Sequence, residues 1–131
     1  VCHHVFFSDG PHGNSENDVG GKMYREGVLR REGAWPIFQK NNLKIVLNGH
    51  DHLYQRSFPV DGAGKKADNG IINVTFGGSG KTFKSKSDWS AFQFLTGSAE
   101  LAYVHVKGDT ATLRLIEPGG KTADEVVVKL K

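Results

Sequence analysis

The chain opens on an apolar run, VCHHVFF over residues 1–7, whose β-branched and aromatic residues predict a strand. A polar stretch follows, SDGPHGNSENDVGG over residues 8–21, and its Gly, Pro, Asn and Asp punctuation predicts a loop. Loops of that length usually carry function. Over residues 22–41 the apolar positions Val28, Leu29, Trp35, Ile37 and Phe38 form a rough stripe at helical spacing. Gly33 and Pro36 interrupt it, so two helical pieces are expected, with Pro36 in the first turn of the second. LKIVLN, residues 43–48, is the continuous apolar run of a strand buried on both faces. IINVTF, residues 71–76, predicts a third strand, and Gly77-Gly78-Ser79-Gly80 turns the chain after it. Three more strands are expected near 100–107, 110–116 and 124–130, with Lys107-Gly108-Asp109 and Pro118-Gly119-Gly120 as the turns between them.

Strand, loop, helix and strand in the front third imply a βαβ unit with parallel strands. The tail implies antiparallel pairing, so the class is mixed α/β (α+β). At 131 residues the chain is expected to form one domain. Eight Phe, two Trp and three Tyr supply core material, which excludes a disordered tail. No apolar run approaches the ~18 residues of a membrane helix. The single cysteine, Cys2, excludes an internal disulfide framework and a Cys-based zinc finger. Its place in the first strand predicts a buried thiol rather than a nucleophile. The net charge is +3, and basic residues are dense only at Lys65-Lys66 and from Lys81 to Lys86. That is thin support for nucleic acid. The chain lacks an initiator Met and a signal-peptide pattern, and an apolar strand at residue one reads as the interior of a larger domain.

Six histidines, four of them in two tight pairs, point to imidazole chemistry. Gly49-His50-Asp51-His52 directly follows the buried strand 43–48, and the carboxyl end of such a strand is where open α/β sheets place ligands. Two imidazoles at i and i+2 on a turn can be aimed at one metal or at two neighbouring ones. Gly49 is expected to supply the sharp bend. His3-His4 lies on the first strand, whose end adjoins the end of 43–48 if the two are parallel neighbours. A metal ion lowers the pKa of a coordinated water from about 16 to about 7, and two ions about 4 Å apart can clamp a phosphoryl group. Such a pair needs anionic oxygen ligands as well. Asp9, Glu16 and Asp18 lie in the first loop, and Asp51 points away from where its neighbours converge if the turn is regular. The chain looks like half of a site. The plainer alternative is a surface turn and two ordinary strand histidines.

Val1-x-x-His4, followed about 45 residues later by Gly49-His50-x-His52-x-Tyr54-x-Arg56, resembles the last two motifs of calcineurin-like metallophosphoesterases. The Tyr and Arg make it most similar to the purple acid phosphatase branch. The stretch from Leu29 to Pro59 fits that branch along its length, as do Gly77 to Gly80 and the ending from Glu117-Pro118-Gly119-Gly120 to Asp124. The resemblance implies half of a layered α/β/β/α sandwich and phosphoester hydrolysis at a dinuclear centre, iron with zinc, manganese or a second iron. It implies His4 and His50 as ligands of the divalent metal, His52 as ligand of the other, and His12 as a phosphate-binding or proton-donating residue. His3 is not implied as a ligand. Gly49, Tyr54 and Arg56 are implied as support. The family's earlier motifs, a bridging Asp with a nearby Tyr and an Asn-His pair, do not occur in the chain. It is therefore expected to correspond to the carboxyl-terminal half of the catalytic domain. Alone it is expected to bind metal weakly, to hydrolyse little, and to need the upstream half or a second copy to cover an exposed sheet. The resemblance also favours a secreted or extracytoplasmic setting.

Other patterns are weaker. Gly78-Ser79-Gly80-Lys81-Thr82 looks like the end of a nucleotide P-loop, but Thr75 stands where that pattern needs Gly. His105 reads as a structural histidine of a tail strand. Trp35, Phe38, Phe92 and Phe94 read as packing residues. A catalytically silent module that keeps the fold, and a basic Gly/Lys-loop module for phosphate or nucleic acid, remain the alternatives to an enzyme.

Overall fold

The computed structural model describes residues 1–8, 10, 12, 32–77, 92–96 and 101–131. The acidic residues Asp9, Glu16 and Asp18, the part of the expected helical stretch 22–41 that precedes residue 32, and Gly78 to Thr82 lie outside the described residues. Among the described residues seven strands form two sheets: β1 (Ile45–Asn48), β2 (Tyr54–Val60), β3 (Ile71–Phe76), β4 (Phe92–Thr96), β5 (Leu101–Lys107), β6 (Thr110–Ile116) and β7 (Thr122–Lys129). A helix, α1 (residues 32–40), precedes them among the described residues.

The first sheet runs β1-β3-β2-β4. β3 lies parallel to β1, with Ile45 opposite Ile72, and antiparallel to β2. Alternation along β1 and β3 gives the sheet two different faces. Val46 and Ile71 point to one side and pack with Phe6, Phe7, Trp35 and Val60. Ile45, Leu47, Ile72 and Val74 point to the other and pack with Leu113 and Leu115 of β6. The second sheet, β5-β6-β7, is an antiparallel meander. The chain is thus helix and aromatic cluster on one side, central sheet, then a second sheet, a mixed α/β architecture that ends in antiparallel strands.

Four expectations change. Residues 1–7 are not a strand, and only Cys2 bridges, parallel to Asn48. The apolar residues behind it serve packing instead: Phe6 and Phe7 turn their rings onto Trp35, with centroids 5.7 and 4.9 Å away. Gly33 and Pro36 lie inside one continuous helix rather than at a break. Pro36 has no N–H to donate to the carbonyl four residues before it, and the helix runs on past it to residue 40. The helix ends where Asn42 takes φ 57°, with the Leu43 amide bonded to the Phe38 carbonyl and the Asn42 amide to that of Gln39. That turn delivers the chain into β1. Third, Cys2 is exposed, not buried. Fourth, β2 and β4 have no counterpart in the apolar pattern. β2 is polar, YQRSFPV, and shifts register between Arg56 and Pro59. That irregularity switches which residues face α1 and lets Pro59 sit beyond the last β4 pairing, at Ser57.

β5 is exposed on both faces. Leu101 is 66% accessible and Val106 58%. Register puts Val104 opposite Leu113 and Val106 opposite Ala111, so these valines extend the core-facing side of the second sheet past its cover.

Candidate metal and phosphate site

The carboxyl end of β1 gathers the site. Cys2 donates its amide to the Leu47 carbonyl at 3.0 Å, and Gly49 donates to the His3 carbonyl at 3.0 Å. Two ladder-like bonds therefore lock the His3-His4 segment beside the His50 turn. The bend itself is carried by His50, at φ 68°, and the Asp51 amide closes a γ-turn on the Gly49 carbonyl at 2.9 Å. A non-glycine residue held there stores ~1–3 kcal/mol of backbone strain. The expected role of Gly49 changes accordingly. Neither space nor a left-handed backbone requires glycine there, since a Cβ would make ordinary contacts, 3.4 Å from the Phe76 carbonyl and 3.7 Å from that of His3.

Imidazoles surround His50. The His4 ring centroid is 4.9 Å away, that of His12 4.3 Å and that of His3 4.9 Å. The nitrogen contact is made by His3: its Nε2 lies 3.0 Å from His50 Nδ1. His52, half-buried, follows Asp51 and acts electrostatically on it. Among the described residues no three His, Cys, Asp or Glu side chains converge closely enough to hold a metal ion by themselves. Among the described residues the rings around His50 are imidazoles, a donor type that suits a borderline divalent metal as part of a ligand set.

Asp51 packs under the His12 segment. It is fully buried against the first loop, where Oδ1 accepts the His12 amide at 3.2 Å. Burial raises its pKa above the usual carboxylate value. Hydrogen bonds from Ser8 and the His12 amide, and the charges of the His12 and His52 rings, pull the other way without cancelling it.

Beneath this corner runs a buried polar network on the α1-facing side of the sheet. Asn48 donates to Asn73 at 2.8 Å, Asn73 donates to the Phe7 carbonyl at 3.0 Å, and Thr75 bridges towards Asn48 at 2.5 Å. Gln55 donates to Ser8 Oγ at 3.2 Å. Every member is inaccessible and paired, as a buried polar group must be. The network fixes residues 7 and 8, and through them the start of the His12 loop.

Tyr54 and Arg56 stand on the opposite face of β2 and take no part in the histidine group. Both reach Asp124 on β7: Arg56 by Nε at 2.6 Å and Nη2 at 2.7 Å, Tyr54 by its hydroxyl at 2.8 Å. Burial would raise Asp124, but the two hydrogen-bonding partners and the guanidinium charge outweigh it and hold its carboxyl below the usual range. Burial and then the same carboxylate push the Tyr54 phenol up. The support expected of Tyr54 and Arg56 is thus a clamp between the two sheets. Asp124 is the partner that local motif reading could not supply, 68 residues beyond Arg56.

Of the remaining residues singled out in sequence, Trp35 is core, and His105 lies on exposed β5 with its ring stacked on Tyr103.

No family model matches the chain. Purple acid phosphatase 17 of Arabidopsis thaliana is 32% identical over 121 residues, which are 83% of this chain and 32% of that protein. Purple acid phosphatase PPD1 from yellow lupin (Lupinus luteus) seeds shares the fold, with TM-score 0.71 over 97% of this chain and 24% of that one, at 17% identity. So does GAP50, the anchor in the inner membrane complex of Plasmodium, with TM-score 0.68 over 98% of this chain and 35% of that one, at 12% identity. The chain spans about a third of the curated relative. In sequence and in fold it is a purple acid phosphatase-like metallophosphoesterase segment.

Proposed function

We propose that the chain supplies the histidines of a dinuclear metal centre that hydrolyses phosphoesters, with the anionic ligands contributed by an upstream part of the same domain or by a partner. The observation that carries this reading is the gathering of His3, His4 and His12 around His50 on a strained turn at the end of a parallel strand. His4, His50 and His52 are the proposed metal ligands. His3 joins them as a candidate, because its Nε2 lies 3.0 Å from His50 Nδ1. The metals proposed are iron with zinc, manganese or a second iron. Bound there, they supply Lewis acidity towards a phosphoryl oxygen and a nucleophile at neutral pH.

The chain's own groups do the rest. His12, whose ring stands beside that of His50, orients the phosphate or gives a proton to the leaving alkoxide. The γ-turn at His50 holds the imidazoles in place before anything binds. The clamp from Tyr54 and Arg56 to Asp124 keeps β2, and with it the 50–52 turn, seated on the second sheet. The setting proposed is extracytoplasmic. Among the described residues no helix is long and apolar enough to cross a membrane.

The test is hydrolysis of p-nitrophenyl phosphate by the metal-loaded native protein, with the intact mass of every polypeptide in the sample determined in parallel. Replacing His50 or His52 by Ala is expected to lower the rate at least ~100-fold together with the bound metal. Hydrolysis that survives both substitutions sinks the reading. A second reading, a silent module, is favoured by the fold shared with GAP50, described as an anchor. It predicts metal uptake without turnover in a sample that contains the complete domain.

A further inference from the structure

We propose that Asp51 is a positioning residue that pins the first loop to the His50 turn and so sets where the His12 imidazole stands. The motif leaves the residue between its two histidines open, and nothing in the resemblance gives it work. The structure places it at a junction. Its carboxylate is inaccessible, Oδ1 accepts the His12 amide at 3.2 Å, and Ser8 is a second hydrogen-bonding partner. Ser8 Oγ in turn accepts the Gly10 amide at 3.0 Å and Gln55 Nε2 at 3.2 Å. The first loop is therefore held at residues 8, 10 and 12 by one carboxylate and the hydroxyl beside it.

Two glycines shape this junction. A Cβ on Gly10 would stand 2.4 Å from Asp51 Cγ, so the loop backbone lies directly on the carboxylate and no other side chain fits unless something moves. A Cβ on Gly77 would stand 2.6 Å from the Asp51 carbonyl oxygen, so the end of β3 lies directly on the backbone of the turn. Among the described residues no lysine or arginine pairs with Asp51. A carboxylate that merely held sheets together would have such a partner, as Asp124 has. The partners of Asp51 are backbone and hydroxyl of the loop that carries His12, and the His12 ring is 4.3 Å from that of His50. One residue thus couples the ligand turn to the loop that bears the proposed phosphate-handling imidazole. The functional consequence rests on the reading of His12 given above, but the pin itself does not.

The experiment compares Asp51→Ala and Asp51→Asn in the native protein, reading amide hydrogen exchange at His12 and at Val46 and Val74 in the sheet, with Zn2+ added last. Losing a hydrogen bond to a charged acceptor is expected to speed His12 exchange ~10-fold to ~100-fold in the Ala variant while Val46 and Val74 keep their protection. The Asn variant retains an acceptor oxygen and is expected to recover part of the difference. In the phosphatase, the Ala variant is expected to lose more kcat on alkyl phosphates than on p-nitrophenyl phosphate, because only the former need a proton on the leaving group. Unchanged His12 exchange in the Ala variant overturns the proposal. So does joint loss of protection at His12, Val46 and Val74 in the Asn variant, which makes Asp51 a fold residue only. Zn2+ that leaves the His50 resonances of the unsubstituted protein unmoved counts against the metal centre alone, and leaves the Asp51 result to be judged on the exchange data.

Discussion

Asp51 and Asp124 are both buried carboxylates within reach of β2, and they solve the same desolvation problem in opposite ways. Asp124 meets a guanidinium in a two-point pair and a phenol, and its pKa falls. Asp51 meets one amide and a hydroxyl, and its pKa rises because burial outweighs them. The first arrangement ties strands from two sheets with strong, fixed bonds. The second ties a loop to a turn with weaker ones and leaves charge only partly compensated. Fixed geometry is spent on the scaffold side of β2, and adjustable geometry on the side of the histidine turn.

Breaking the Asp124 side is expected to have the largest effect. Arg56→Ala leaves a buried carboxylate unpaired and is expected to cost ~3–5 kcal/mol in urea unfolding. A loss under ~1 kcal/mol would show that water compensates the charge. The pH profile sharpens the contrast. Because the folded-state pKa of Asp124 lies below its ordinary 3.8, its contribution is present above that value and is lost as pH falls through the lowered one. Asp124→Asn is therefore expected to flatten the acid limb of the unfolding curve, and an unchanged limb would contradict the assignment.

On the other side, Gly10→Ala forces the loop off the Asp51 carboxylate and is expected to cost ~1–3 kcal/mol. Adding Asp51→Ala should recover part of it, with a coupling of ~0.5 kcal/mol or more. Strict additivity would mean that the two residues do not touch in solution. Tyr54→Phe removes one bond to Asp124 while Arg56 keeps the carboxylate paired, so ~1 kcal/mol is expected from thermal unfolding. The smallest effect belongs to Arg114, paired with Glu125 on the exposed face of the second sheet. Its replacement by Ala is expected to leave the unfolding midpoint where it was.

β3 and the three tail strands were legible because each is an apolar or alternating run bounded by a glycine turn. β2 was not. Its interior positions are satisfied by partners far away in sequence, Gln55 by Ser8 and Arg56 by Asp124, so no local periodicity announces a buried strand. β4 pairs with β2 alone among the described strands and inherits the same opacity. Residues 1–7 misled for the converse reason, since an aromatic cluster and a strand use the same residue types. At the site, Gly49, His50 and His52 were visible as a motif. The prominence of His3 was not, because it depends on which of two adjacent side chains the parallel bridge at Cys2 aims at His50.

The exposure of β5 bears on how the protein behaves in a tube. A seven-residue edge strand carrying Leu101, Tyr103, Val104 and Val106 at its surface offers both a sticky face and a row of backbone groups to any other copy. With its core-facing valines uncovered, the purified chain should show self-association that rises with concentration and falls when that strand is given a lysine. Its solubility, more than its folding, would then limit every measurement made on it.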